Sequence, residues 1–264
     1  MPELVLVDTH AHLDSEDFDR DREEALERAA AAGVAVIVNA SFDLASSRRS
    51  ADLAGSRPGG VYALAGIHPH DAEGVPGDYL EELRKMAREP GVVALGEMGL
   101  DYYRDLSPRP VQQKIFREQL ALARDLDLPV VIHDRDAHGD LMEIIKKDGV
   151  PGRGGVMHCY SASWEMALEC MKRGFYISIA GPVTYPNSAR LKEIAARLPL
   201  ERILVETDCP YLAPQAFRGR RNEPSYVGYV AEEIARLRGV APADLARAAS
   251  ANAAALFGIA VPGL

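Results

Sequence analysis

Short runs of β-branched and other apolar residues alternate along the chain with stretches whose apolar positions recur every three to four residues. The runs are Leu4–Val7, Val34–Val38, Val61–Ile67, Val92–Leu95, Pro129–Ile132, Gly155–Met157, Phe175–Ile179 and Ile203–Val205. Between them, Phe116, Leu120 and Ala123 share one face of a predicted helix, with Ser107 placed to cap it and Pro108 to start it. Ser163 is placed to cap a second helix, whose Met166, Ala167, Cys170 and Met171 share a face and which Gly174 can end.

Eight runs in 264 residues leave about 33 residues per unit, the size of a strand and its return helix. The pattern predicts an α/β chain closed into a (β/α)8 TIM barrel, a single domain spanning residues 1–264. The Pro/Gly-rich stretches are short and lie between units, so none reads as a domain linker. Alternation alone also admits an open doubly wound sheet. The first strand-to-helix turn, Asp8-Thr-His-Ala-His12, lacks the Gly-rich fingerprint of a dinucleotide-binding version.

Composition narrows the classes further. Hydrophobic residues make up 47% and charged residues 26%, which excludes a disordered chain. The net charge of -9 disfavours binding a polyanion through whole-molecule charge, so attraction to a phosphate has to be local. No apolar run reaches the ~18–20 residues of a membrane helix. The first eight residues lack the basic region of a secretory leader. Three cysteines, Cys159, Cys170 and Cys209, without a CxxC pair exclude a disulfide framework or zinc ribbon. They point to reduced thiols in a cytoplasmic compartment.

Chemistry-bearing residues gather behind the apolar runs. His10 and His12 follow the first, Asn39 the second, His68 and His70 the third, Glu97 the fourth, His133 the fifth and His158 the sixth; Asp208 trails the eighth. In a barrel these are the strand ends that carry active sites. Of the seven histidines only His138 lies elsewhere, on a helix. One histidine after a strand is ordinarily a satisfied loop residue. His10 and His12, at i and i+2, point to the same side and can ligate one cation. Imidazoles and carboxylates together suit Zn2+, Mn2+ or Co2+, and Mg2+ less comfortably. Six ligands exceed what one hydrolytic ion takes from protein, so two ions sharing a carboxylate is the better count. No GxSxG elbow is present, and strand alternation turns Cys159 away from His158 as a packing residue.

The run Gly96-Glu-Met-Gly-Leu-Asp-Tyr-Tyr-Arg104 resembles the signature of the TatD family of metal-dependent deoxyribonucleases. Asp8–His12, Gly66-Ile-His-Pro-His70, Ile132-His133, His158-Cys-Tyr-Ser161, Glu206-Thr-Asp-Cys-Pro-Tyr-Leu212 and Arg218–Tyr226 are similar to its other blocks, in the same order. The resemblance implies that His10, His12 and Asp208 hold one divalent ion, that His133 and His158 hold a second, and that Glu97 bridges them. It also implies a 3′→5′ exonuclease acting on DNA ends. Asp208 is the better base, since Glu97 is committed to the bridge. Glu206 is expected to orient a ligand. His68 is expected either to contact substrate or to support the ligands. Arg104, Arg218, Arg220 and Arg221 are expected to position phosphate. The alternatives are ester or amide hydrolysis by the same kind of site, including an aminoacyl-tRNA substrate, and metal or partner binding without turnover.

Overall fold

The strands that the apolar runs foretell pair in chain order in a computed structural model that describes residues 4–264. Part of the segment behind the leader expectation, residues 1–3, lies outside the described residues. The strands are β1 (Leu6–Ala11), β2 (Val34–Asn39), β3 (Val61–Ala65), β4 (Val92–Asp101), β5 (Val130–Arg135), β6 (Gly155–Met157), β7 (Phe175–Ile179) and β8 (Ile203–Val205). All seven sequential pairings are parallel. The ring closes where Asp208 N–H donates to His10 C=O and His12 N–H donates to Cys209 C=O, at 2.9 and 2.8 Å. The architecture is a (β/α)8 barrel, as the alternation predicts.

Each strand leads to a helix: α1 (Arg22–Ala31), α2 (Leu44–Ser56), α3 (Tyr79–Met86), α4 (Arg109–Leu126), α5 (His138–Asp148), α6 (Trp164–Lys172), α7 (Ala189–Arg197) and α8 (Val227–Arg238). A further helix, α9 (Pro242–Phe257), follows α8. Val7, Val36, Val38, Leu64, Ala94, Val131, Val156 and Leu204 fill the barrel interior, and Leu256 and Phe257 of α9 pack with them. A larger layer of apolar residues, including Ile37, Leu95, Ile132 and Ile177, meets the helices outside. This two-sided burial is why the runs read as nearly continuous apolar stretches. Within α4, Phe116, Leu120 and Ala123 are buried as their spacing predicts. Truncating Leu120 to alanine would cost roughly 2–5 kcal/mol.

Several boundaries differ from the pattern, each for a local reason. β1 begins at Leu6 and runs through His10, and β4 and β5 continue through Glu97 and His133. Backbone pairing does not depend on side-chain polarity, so apolar runs end before the strands do. β3 stops at Ala65, two residues before its run ends. Ser107 is not the cap of α4. Pro108 precedes that helix, while Ser107 donates to His70 C=O and accepts from Glu73 N–H. Ser163 does cap α6, accepting from Met166 N–H.

Two buried glutamines of α4 tie the fold to the barrel mouth. Gln119 accepts Ile67 N–H at 2.8 Å and donates to Ile67 C=O at 3.0 Å, just before His68. Gln112 does the same for Asp101, at 2.9 and 3.2 Å. Both side chains act as substitute backbone where β3 and β4 leave the sheet.

Candidate metal centre

Glu97 is the hub of the mouth. Its two oxygens face different imidazoles: Oε2 lies 3.1 Å from His10 Nε2 and 3.8 Å from His12 Nε2. Oε1 lies 2.7 Å from His133 Nδ1, 3.4 Å from His68 Nε2 and 3.5 Å from His158 Nε2. Asp208 Oδ1 stands 3.5 Å from His12 Nε2, 3.9 Å from His10 Nε2 and 4.0 Å from His158 Nε2.

Local irregularities aim these groups. The β1–β2 register slips between Asp8 and Ala11, around His10, and the β4–β5 register slips between Leu95 and Met98, around Glu97. Such breaks re-aim side chains that strict alternation would direct elsewhere. Gly99, at φ +146°, lets the His133 backbone approach; a Cβ there would sit 1.9 Å from His133 O. Asp208 has φ +57°, which lifts its carboxylate off β8 toward His12.

The electrostatics favour positive charge in the centre. Burial pulls His158 down, but Glu206 and Glu97 lift it to about 10. Burial likewise works against His133, yet Asp101 and Glu97 raise it to about 9. Burial raises Glu97, but the surrounding imidazoles, His158 foremost, hold it well below its ordinary value. His10 is lowered by burial and by His158, whose ring stacks on it at 3.6 Å. A divalent cation meets the same carboxylates that hold those protons. His10, His12 and Asp208 place ligand atoms within 4.8 Å of one another, as do His68, Glu97 and His133. This nitrogen and carboxylate donor set fits Zn2+ or Mn2+.

His68 differs from its neighbours. Its Nδ1 accepts His70 N–H at 3.1 Å, so in the neutral ring Nε2 carries the hydrogen and donates toward Glu97. Burial and the nearby His133 charge push it down to about 4, which keeps the ring neutral. Glu206 is fully buried; its Oε1 accepts Cys159 N–H at 2.7 Å and lies 2.8 Å from His158 Nδ1, off line for a hydrogen bond. Ser178 Oγ donates to its Oε2 at 2.5 Å. His138 pairs with Asp134 at 2.8 Å at the start of α5.

The arginines separate. Arg104 and Arg220 are exposed, and Arg218 lies 4.2 Å over the Tyr185 ring. Arg221 does not take the phosphate-positioning place expected of it: its guanidinium is committed to Asp21 at 2.6 Å and covers Phe18 at 4.4 Å, so it is not free for phosphate. Cys159 does not turn outward as strand alternation predicts. β6 ends at Met157, so alternation no longer governs Cys159; with φ +43° it turns toward the centre, its Sγ within 4.8 Å of His158 and Asp208 ligand atoms. Burial and then the Asp208 charge raise its thiol well above the usual range, so it stays protonated.

Asp101 escapes the sequence reading. Its Oδ2 lies 2.7 Å from His70 Nε2 and 3.2 Å from His133 Nε2. His133 is thus held between Asp101 and Glu97. The signal was available, because Glu97, Gly99 and Asp101 alternate along one strand as His10 and His12 do. Beside the centre, a cavity of about 870 Å3 is lined by His12, Phe42, Tyr211 and Arg49 among others.

Histidines and carboxylates converging at the C-terminal mouth of a parallel barrel define a hydrolase of the metal-dependent barrel class. The chain belongs to the TatD related DNase family of metal-dependent hydrolases, which matches residues 7–258. It is 46% identical to an uncharacterized metal-dependent hydrolase, YabD of Bacillus subtilis, over 97% of this chain and 100% of that protein. It is 36% identical to the 3′-5′ ssDNA/RNA exonuclease TatD of Citrobacter koseri, over 97% of this chain and 100% of the other. The crystal structure of the TatD homologue YjjV from Escherichia coli superposes with a TM-score of 0.90 at 34% identity, covering 97% of this chain and 98% of that one. No described helix is long and apolar enough to cross a membrane.

Proposed function

We propose that the chain is a two-metal phosphodiesterase that removes nucleotides from the 3′ ends of single-stranded DNA. The observation that carries this reading is Glu97, whose two oxygens face two separate sets of imidazoles. In this reading His10, His12 and Asp208 would hold one divalent ion and His133 and His158 the other, with Glu97 shared between the two sets. When bound, the ions polarise the scissile phosphodiester and acidify the attacking water. Asp208 accepts the proton from that water. It is the more accessible carboxylate, with 13% of its side chain exposed against 4% for Glu97, and it meets fewer imidazoles.

Asp101 braces His133, Glu206 lies against His158, and the neutral Nε2–H of His68 donates toward Glu97 and so supports the carboxylate at the hub. Arg104, Arg218 and Arg220 remain the phosphate-positioning candidates at the rim.

Attack from the end is favoured by the depth of the centre. The ligands lie at the strand tops, below the loops over 66–78 and 206–226, so a terminal nucleotide reaches them most easily. An internal bond in a duplex would need unstacking and a kink costing a few kcal/mol. The name of the Citrobacter koseri relative, a 3′-5′ ssDNA/RNA exonuclease, supports the direction. The test compares linear single-stranded DNA with a covalently closed circle of the same sequence. The linear form is expected to be degraded and the circle spared; equal rates would overturn end-directed cleavage.

A further inference from the structure

Arg135 ends β5 two residues beyond His133, so the strand pleat turns both side chains to the same side. Its backbone is in register with Asp101 of β4, and its carbonyl accepts Tyr102 N–H at 2.9 Å. Arg28, Arg48, Arg57, Arg117 and Arg221 each pair with a carboxylate. Arg135 forms no ion pair within 4.0 Å among the described residues. Its guanidinium lies instead 3.9 Å from the ring centroid of Tyr103.

Tyr103 is 62% exposed, an unusual position for a large aromatic at the mouth of a polar centre. Its main chain is nonetheless fixed: Asp101 Oδ1 accepts Tyr103 N–H at 3.0 Å, while Oδ2 of the same carboxylate meets His70 and His133. The ring therefore stands on the carboxylate that braces His133, and the cation stacks on the ring. Stacking uses the flat face of the guanidinium and leaves its edge N–H donors open, the donors that match a phosphate.

We propose that Arg135 and Tyr103 form a nucleotide subsite, with Arg135 taking the phosphate adjoining the scissile one and the open face of Tyr103 stacking a base. The proposal rests on the nuclease reading above. A strand advances about 3.3 Å per residue, so the Arg135 backbone stands roughly 6–7 Å beyond that of His133. That offset suits the next phosphate of a single strand rather than the one being cut. Stacking on a ring is tolerant of base identity, so the subsite confers length preference rather than sequence preference. One such cation also supplies local attraction in a chain of net charge -9.

The test uses Mn2+-loaded wild type, Arg135→Ala, Tyr103→Ala and Tyr103→Phe. Substrates are a five-residue oligothymidylate, its analogue abasic at the predicted stacking position, and bis-p-nitrophenyl phosphate, which has no adjoining nucleotide. Arg135→Ala is expected to lower the ratio of kcat/KM on the oligonucleotide to that on bis-p-nitrophenyl phosphate about tenfold, mainly through KM. The salt dependence should become shallower by about 0.7 in the log–log slope. Tyr103→Ala should weaken the oligonucleotide more than its abasic analogue, and Tyr103→Phe should restore it. An unchanged ratio for Arg135→Ala, or equal losses on both oligonucleotides for Tyr103→Ala, would overturn the subsite. If wild type cleaves no nucleic acid, the nuclease reading fails. Fluorescence anisotropy of a labelled phosphorothioate oligothymidylate then decides. Binding about tenfold weaker in Arg135→Ala upholds the subsite; equal binding, or none by wild type, overturns it.

Discussion

Two histidines of the centre are set apart by what their second nitrogen meets, and this separates roles that composition cannot. His133 is held from both sides by Glu97 and Asp101, whereas His68 is fixed as a donor by His70 N–H. Asp208→Asn keeps an oxygen for the ion but removes the base, so kcat should fall by about 10²–10⁴ with a smaller change in substrate affinity. His138→Ala is the control: its partner is Asp134, away from Glu97 and Asp208, and kcat should stay within about twofold. Steady-state kinetics on single-stranded DNA checks both. Equal losses in the two variants would show that the base has been misassigned.

At the scale of the element, the strands do more of the positioning than their apolar pattern reveals. The alternation located all eight strands and put His10, His12, Glu97, His133, His158 and Asp208 at one end of them. It could not show that β1, β4 and β5 run on through His10, Glu97 and His133, because hydrogen-bonded backbone continues where apolar side chains stop. Nor could it show the register breaks, which depend on the neighbouring strand. Cys159 departs from the alternation for a different reason: it lies in the turn after β6, with φ +43°. Nor does the pattern reveal that Arg221 is paired, because its partner Asp21 is 200 positions away in the chain. The close approach at Gly99 gives a direct check. Gly99→Ala places a Cβ against His133 O at 1.9 Å in a backbone region that side chains avoid, and should lower Tm by several degrees and disturb the metal centre. Gly55→Ala in α2 meets nothing within 4 Å and should be neutral to stabilising by up to about 1 kcal/mol. Thermal melts of the two variants would contradict this account if their order were reversed.

Across the whole molecule, the last strand-to-helix segment is anchored to the first helix. Arg221 pairs with Asp21, and Arg28 bridges Asp21 and Glu223 at 3.1 and 2.7 Å. Arg221 and Arg28 hydrogen bonds hold Asp21 down at about 2, and Arg28 lowers Glu223 against the opposing effect of burial. Carboxylates depressed in the folded state add stability above their unfolded range, about 4, and lose it as pH falls through the folded value. Arg221→Ala should therefore lower Tm by about 2–4 °C at pH 7, in keeping with ~1 kcal/mol for a partly exposed pair. The difference from wild type should shrink between about pH 4 and pH 2. A difference constant across that window would remove the ion pair from the explanation.

The net charge of -9 makes the same demand on function that the centre makes on its ligands: attraction for phosphate has to come from bound cations and a few arginines. The most direct measurement is therefore titration of the metal-stripped protein with Mn2+, read by release of nucleotides from 3′-labelled single-stranded DNA. The account predicts activity that rises to a plateau at about two equivalents per chain and is abolished in Glu97→Gln. DNA left intact at every Mn2+ concentration, or degraded at the full rate without metal, would contradict it.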